Sequence, residues 1–359
     1  MKKLHSSQEI RDFIIANVES NPSTITRMAA SHFGISRQSV NRYLLNMRSE
    51  GLIEAKGERR NMSYSLKSLV DKSFVIKITK GLEEDQVWRQ YLYPLATEVK
   101  DNVVDICHYG FTEIFNNVID HSEADNAYIA FERNAKDINM TIMDDGIGIF
   151  YKIARDLNLE DERHAILELS KGKLTTDPKN HTGEGIFFTT RMFDKFSILS
   201  GKLFFSHIIY EDDWLIESRE DDESKGTTVY MKINCESTRL QKEVFQKYET
   251  YEDEFGFSRT HVPVRLALYG EENLVSRSQA KRVLARFNRF SEILLDFDQV
   301  EFIGQAFADE IFRVFKNSNP NTRIIPLRAN ANVSTMIERV TKGHGDTQLR
   351  LNIEGTTSN

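Results

Sequence analysis

The chain is short of cysteine, with two in 359 residues, and it has no long apolar run. Cys107 and Cys235 cannot supply a disulfide framework. Neither has a metal-ligand companion nearby, so a reducing, cytoplasmic setting is expected. No stretch approaches the roughly 20 apolar residues that a membrane-spanning helix needs, and no membrane partner is expected. The opening Met1-Lys-Lys-Leu-His-Ser6 leads into no apolar segment, so no secretory signal is expected either. With 40% hydrophobic and 28% charged residues, the chain has the balance of a water-soluble globular protein of two or three domains.

The net charge of −7 is unevenly divided. Residues 1–70 hold 11 Lys and Arg against 6 Asp and Glu, a surplus of +5, which leaves −12 on the other 289 residues. Within this basic head, Ile10, Phe13, Ile14 and Val18 recur at helical spacing over residues 6–18. Asn21-Pro22 ends that run, Thr24 is placed to cap a second helix through Phe33, and Gly34 makes a tight turn. Ser36 is placed to cap a third helix, 37–49, whose Val40, Leu44, Leu45 and Met47 are available for packing. Arg37, Gln38, Asn41 and Arg42 then lie exposed near its start. Residues 54–66, with Lys56, Gly57, Arg59 and Arg60 between strand-like pieces, have the form of a β-hairpin.

The segment 26–44 resembles the winged helix-turn-helix of bacterial regulators, and the likeness spans about residues 4–67. It implies duplex DNA as a partner. Arg37, Gln38 and Asn41 would then face base edges and Arg42 would also contact the DNA, while Lys56, Arg59 and Arg60 hold phosphates. The same fold can also serve protein contacts.

The middle of the chain carries three short motifs in order: Glu113-Ile-Phe-Asn-Asn117-Val-Ile-Asp-His121, Asp144-Asp-Gly146-Ile-Gly148 and Gly183-Glu-Gly185-Ile186. Glu113, Asn117 and His121 share one helical stripe. The Asn117 amide oxygen is a hard donor suited to Mg²⁺, and Glu113 is placed to orient or deprotonate an attacking group. Asp144 ends an alternating, strand-like run from Ile138, and an ionised carboxylate there can accept from an exocyclic amine such as adenine's. Gly146 and Gly148 permit close backbone approach, and Gly183 and Gly185 lead into a helix start, the usual place for phosphate. Asp145 is read as turn-forming or solvated rather than as a second ligand.

These boxes, with Gly226-Thr227 further on, resemble the GHKL superfamily of ATP-binding domains shared by histidine kinases, gyrase and the anti-sigma-factor kinases. The resemblance covers about residues 82–233. It implies ATP and Mg as cofactors, Glu113 as the catalytic residue and Asn117 as the Mg ligand. ATP contacts would come from Asn117, His121, Asp144, Gly146, Gly148, Gly183, Gly185 and Thr227, with residues 150–182 as a lid. No phosphoacceptor helix precedes the site, which argues against a sensor histidine kinase, and no further transducer domain suggests gyrase or MutL.

Beyond a connector at 234–260, charged and helical in pattern over 236–255, strand and helix alternate. Strands are expected at 262–268, 292–297 and 322–327, and helices at 276–290, 306–315 and 333–340, giving a mostly parallel sheet. The block 261–345 resembles STAS-like domains related to the anti-sigma-factor antagonists. Where such antagonists carry a phosphoacceptor serine, this chain reads Gly304-Gln305-Ala306, and Ala306 has no hydroxyl to phosphorylate. Residues 346–359 are expected to form a loose tail.

The fold expected is therefore multidomain α+β and α/β: a winged helix over 1–70, a Bergerat-type α/β sandwich over 82–233 and a STAS-like α/β domain. Two functions follow. One is an ATP-binding transcriptional regulator in which the nucleotide state modulates DNA and partner contacts. The other is a protein Ser/Thr kinase of the anti-sigma-factor type, acting on a separate protein. Contact with a protein through the STAS-like block, and a homodimer, remain open.

Overall fold

A computed structural model of the chain describes residues 5–58, 61–174, 183–209, 213–218, 225–249, 257–268 and 273–341. The first helix, Ser7–Asn17, starts on a capping box: Ser6 Oγ accepts from Glu9 N at 3.1 Å and Ser6 N donates to Glu9 Oε2 at 2.8 Å. In the second, Ile25–Phe33, the Thr24 side chain makes no capping bond, against expectation. Its start is held instead by Thr24 N and Ile25 N donating to Asn21 O at 3.1 and 2.9 Å. Gly34 turns the chain at φ +61°, and Ser36 Oγ accepts from Ser39 N at 3.1 Å to open the third helix, Arg37–Ser49. Two strands, β1 (Ile53–Lys56) and β2 (Ser63–Leu66), pair antiparallel. Ile10, Ile14, Ile25, Phe33, Val40, Leu44, Met47 and Ile53 form one buried cluster under these elements. Leu45, expected to pack, is instead 60% exposed, because residues 44 and 47 already fill the inward stripe. Arg59 and Arg60 lie outside the described residues.

Only three residues separate β2 from a seven-stranded antiparallel sheet. Its strands are β3 (Val70–Lys77), β4 (Asn126–Arg133), β5 (Asp137–Asp144), β6 (Lys195–Ser200), β7 (Leu203–Ile208), β8 (Trp214–Glu217) and β9 (Thr227–Asn234), in spatial order β3-β4-β5-β9-β6-β7-β8. The last strand in sequence is thus the middle one in space. Alternation along the strands is regular: in β9 Thr227, Val229, Met231 and Ile233 are buried while the residues between them are not. The 21-residue helix Asp101–His121 buries Val103, Ile106, Phe111, Ile114, Phe115 and Val118 along one stripe and packs against β5 and β9.

The chain divides into two compact units that do not follow its linear order: Met1–Lys152 with Phe188–Gln241, and Ile153–Phe187 with Lys242–Asn359. The second unit contains a three-stranded parallel sheet, β10 (Arg259–Pro263), β11 (Glu292–Asp296) and β12 (Arg323–Leu327), in that order. With it are the helices Glu162–Lys171, Arg277–Leu284 and Ala331–Thr341, and a helical run over 305–318 that widens to a π turn at Glu310–Phe315. Three boundaries differ from the sequence expectation. The strand expected at 262–268 begins at Arg259 and stops at Pro263, the last residue of an edge strand, and Val264–Ala267 is a 3₁₀ turn. The helix expected through 290 ends at Leu284, with Arg286 left-handed at φ +62°. In the connector only Gln241–Gln246 is helical among the described residues, and Leu240 is exposed.

Candidate functional site

Asp144 closes β5 and is 5% exposed. Its Oδ1 accepts from Gly146 N at 2.9 Å, and the backbone of Thr227 bonds it as well. Burial pushes this carboxyl above the usual aspartate range, those two N–H groups pull it back, and neighbouring Asp145 raises it further. Around it the backbone is crowded. A Cβ on Gly226, which sits at φ +93°, would fall 2.0 Å from Asp144 O, and one on Gly146 would fall 2.1 Å from Ser122 O. Only glycine lets three chain segments meet at this carboxylate.

The same segments tie the loop after β5 to its neighbours. Ile147 N donates to Ser122 O at 2.9 Å, which fastens the loop to the end of the Asp101–His121 helix, directly after His121. Ile149 N donates to Thr227 Oγ1 at 2.9 Å, and Gly148 lies beside the Ser200 hydroxyl, which donates to Gly226 O at 3.1 Å. Asp144, Gly146, Gly148 and Thr227 are therefore one cluster, with His121 at its border. Asn117 and Glu113 follow one and two turns back on the helix, half-buried beside Val118 and Ile114. Asp145 is spent on the loop: it accepts from Asp125 N, Asn126 N and Asn126 Nδ2 at 2.9 to 3.0 Å, and these bonds hold its carboxyl below the usual range. Ser122 and Ser200 were not foreseen, since a brace made by a backbone carbonyl or a small hydroxyl leaves no sequence pattern.

Gly183 belongs to the second unit, where it takes φ +72° and its carbonyl accepts from Leu174 N at 2.9 Å. Residues 175–182 of the expected lid lie outside the described residues. Gly185 begins the helix Gly185–Met192. The described remainder of that lid, from Ile153, shares the second unit with the C-terminal sheet.

A buried ionic cluster holds that remainder in place. Lys171, at the end of Glu162–Lys171, is fully buried; its Nζ donates to Glu168 Oε1 at 2.5 Å and to the carbonyls of Arg282 and Ala285 at 3.0 and 3.2 Å. Arg286 Nε donates to the same carboxylate at 2.5 Å and Arg286 Nη1 to Lys173 O at 2.8 Å. Burial pushes Glu168 up, but His164, Lys171 and Arg286 outweigh it and leave it at about 2. Burial likewise pushes Lys171 down to about 8, against the pull of Glu168. His164 Nε2 stands 3.6 Å from Glu168, an ion-pair distance rather than a hydrogen bond.

On the head, Arg37, Gln38, Asn41 and Arg42 are all exposed on the first turns of Arg37–Ser49, and Lys56 is exposed at the tip end of β1. Leu45 continues the same exposed face one turn on.

Among the described residues, no helix is long and apolar enough to cross a membrane, and no cluster of His, Cys, Asp and Glu could hold a metal ion. The donor set fits a nucleotide's metal all the same, because Mg²⁺ takes most of its ligands from water and phosphate. No curated protein matches the chain. Residues 279–334 match the model of a STAS-like domain of unknown function, DUF4325, so the chain is a mixed α+β multidomain protein with a large antiparallel sheet and a STAS-like domain.

Proposed function

We propose that this chain is an ATP-binding regulator of transcription, with a Bergerat-type nucleotide site in the seven-stranded sheet and a winged-helix DNA-binding head. The observation that carries the reading is the Asp144 cluster. A buried carboxylate is framed by glycines, bordered by Thr227 and joined through Ser122 to a helix bearing Glu113, Asn117 and His121. Asp144 would accept from adenine's amine, Asn117 would contribute the protein ligand to Mg²⁺, and Glu113 would orient the attacking group. On the head, Arg37, Gln38, Asn41 and Arg42 form a polar face for base edges, and exposed Leu45 adds an apolar contact of the kind a thymine methyl takes. Lys56 would contact phosphate.

The described lid residues from Ile153 on and the STAS-like domain belong to one compact unit. ATP then shifts the population of DNA-competent arrangements. The test is duplex capture from fragmented genomic DNA by the full chain, with and without ATP. Selective capture that changes with ATP supports the reading; no capture under either condition at low salt ends it. Transfer of labelled γ-phosphate to a separate protein would favour the kinase instead, with an acceptor hydroxyl other than position 306.

A further inference from the structure

The sheet face opposite the Asp101–His121 helix carries a row that a solvated face does not need. Cross-strand pairing places Val75 beside Tyr128, Tyr128 beside Met143, Met143 beside Thr228, Thr228 beside Leu199, Leu199 beside Phe204 and Phe204 beside Ile216. One residue from every strand is in the row, and only Thr228 is polar. Val75, Tyr128, Met143, Leu199 and Ile216 are between 38 and 64% exposed. The other rows of this face are mostly polar. Two residues along it reads Ser73, Ala130, Thr141, Tyr230, Ser197, Ser206, the last two buried and hydrogen-bonded to each other at 2.8 Å, and four along it reads Asp71, Glu132, Asn139, Lys232, Lys195, Ile208.

We propose that this face is the interface between two copies of the chain, related by a two-fold axis parallel to β9. Three features favour a second copy over any other occupant. First, the row is centred: β9 is the fourth of seven strands, so the two-fold lays the row on its own reverse. Val75 then meets the partner copy's position 216, Tyr128 meets 204 and Met143 meets 199, apolar on apolar throughout, while Thr228 meets its own copy. Second, the charged row is acidic at Asp71 and Glu132 and basic at Lys195, with Lys232 already held by Asp137 at 2.7 Å; reversal sets Lys195 over the partner copy's position 139, one strand from its position 132, so opposite charges are neighbours across the interface. Third, seven strands at about 4.8 Å and three rows at about 7 Å present roughly 700 Å² per copy, close to the ~800 Å² per partner of a standard specific interface. Two such sheets pack face to face about 10 Å apart. The inference does not depend on the nucleotide reading.

Sedimentation of the full chain over a thousandfold concentration range should show a monomer–dimer equilibrium. Leu199→Asp should raise its dissociation constant by about a hundredfold or more. Glu132→Lys alone should weaken the dimer, and adding Lys195→Glu should recover it. In a Cys235→Ser background, Thr228→Cys should be cross-linked to its own copy by a bifunctional maleimide that spans about 10 Å, because the axis brings that position onto itself across the two sheets, whereas Val75→Cys should not. A chain monomeric at every concentration overturns the proposal. So does a dimer that ignores Leu199→Asp and fails to cross-link at 228, whether its contacts lie elsewhere or another protein covers the face.

Discussion

At Asp144 two demands oppose each other: burial favours the neutral acid, while acceptance from an amine needs the carboxylate. A carboxyl raised above its unfolded value costs the fold stability once ionised, and this cost disappears as pH falls below the raised value. ATP affinity should move the other way. Titrations toward acid should show it weakening at a pH where an ordinary exposed aspartate is still ionised. Asp144→Asn, which replaces one of the two acceptor oxygens with an NH2 donor and removes the charge, should weaken ATP by about tenfold or more, and GTP should bind wild type poorly. Equal calorimetric affinities for ATP and GTP would remove Asp144 from this role. Further along the helix, Glu113→Ala should keep ATP and lose turnover, while Asn117→Ala should lose the Mg²⁺-dependent part of binding. The check is calorimetry with and without Mg²⁺ beside phosphate release; unchanged turnover in Glu113→Ala refutes its assignment.

Among the elements, the Glu162–Lys171 helix is the most constrained by charge. Glu168→Gln leaves the fully buried Lys171 without its anion and should cost about 3–5 kcal/mol, read from chemical denaturation of the full chain. Adding Lys171→Met should recover part of that loss, since removing both partners spares the buried charge. The pH dependence follows the sign of the shift. Glu168 is depressed to about 2, so the stability it contributes is complete above the ordinary glutamate value and is lost as pH falls from there toward 2. Asp296 is held low in the same sense: burial raises it, but His261 Nε2 at 2.8 Å and Arg328 Nε at 2.9 Å outweigh burial. Acid should therefore loosen the second unit early, and Glu168→Gln should flatten that limb of a denaturation-against-pH curve. For the head's third helix, Arg37→Ala should cost about 1–3 kcal/mol at a favoured DNA site and relax its specificity, measured by competition between site variants.

For the whole molecule the expectation concerns coupling. Duplex binding by the full chain should fall steeply with salt, as counterion release requires of a basic head on an acidic body, and the salt slope should shrink when Lys56 is replaced by Ala. ATP should change the affinity by the same factor by which DNA changes the affinity for ATP. Two titrations, each with the other ligand saturating, measure that factor, and unequal values would mean that the assay does not report binding.

Much of this was legible along the chain because short-range rules govern it. The capping box at Ser6 and Glu9, the Ser36 cap, the alternation that ends at Asp144 and the strands at 292 and 323 all depend on residues within a few positions of each other. Local pattern failed where a distant partner intervenes. Nothing near Leu284 stops a helix; the stop comes with Lys171 Nζ taking the carbonyls of Arg282 and Ala285, more than a hundred positions away in sequence. Nor does any spacing announce that β9 inserts between β5 and β6, which brings Thr227 to Asp144 and lines up the apolar row on the outer face. The sequence by itself determined which residues cap, alternate and carry charge, since those are properties of neighbours in the chain. Strand order, helix ends and the company kept by buried charges were decided by tertiary structure, because each depends on which remote group can satisfy a carbonyl, a carboxylate or an open strand edge.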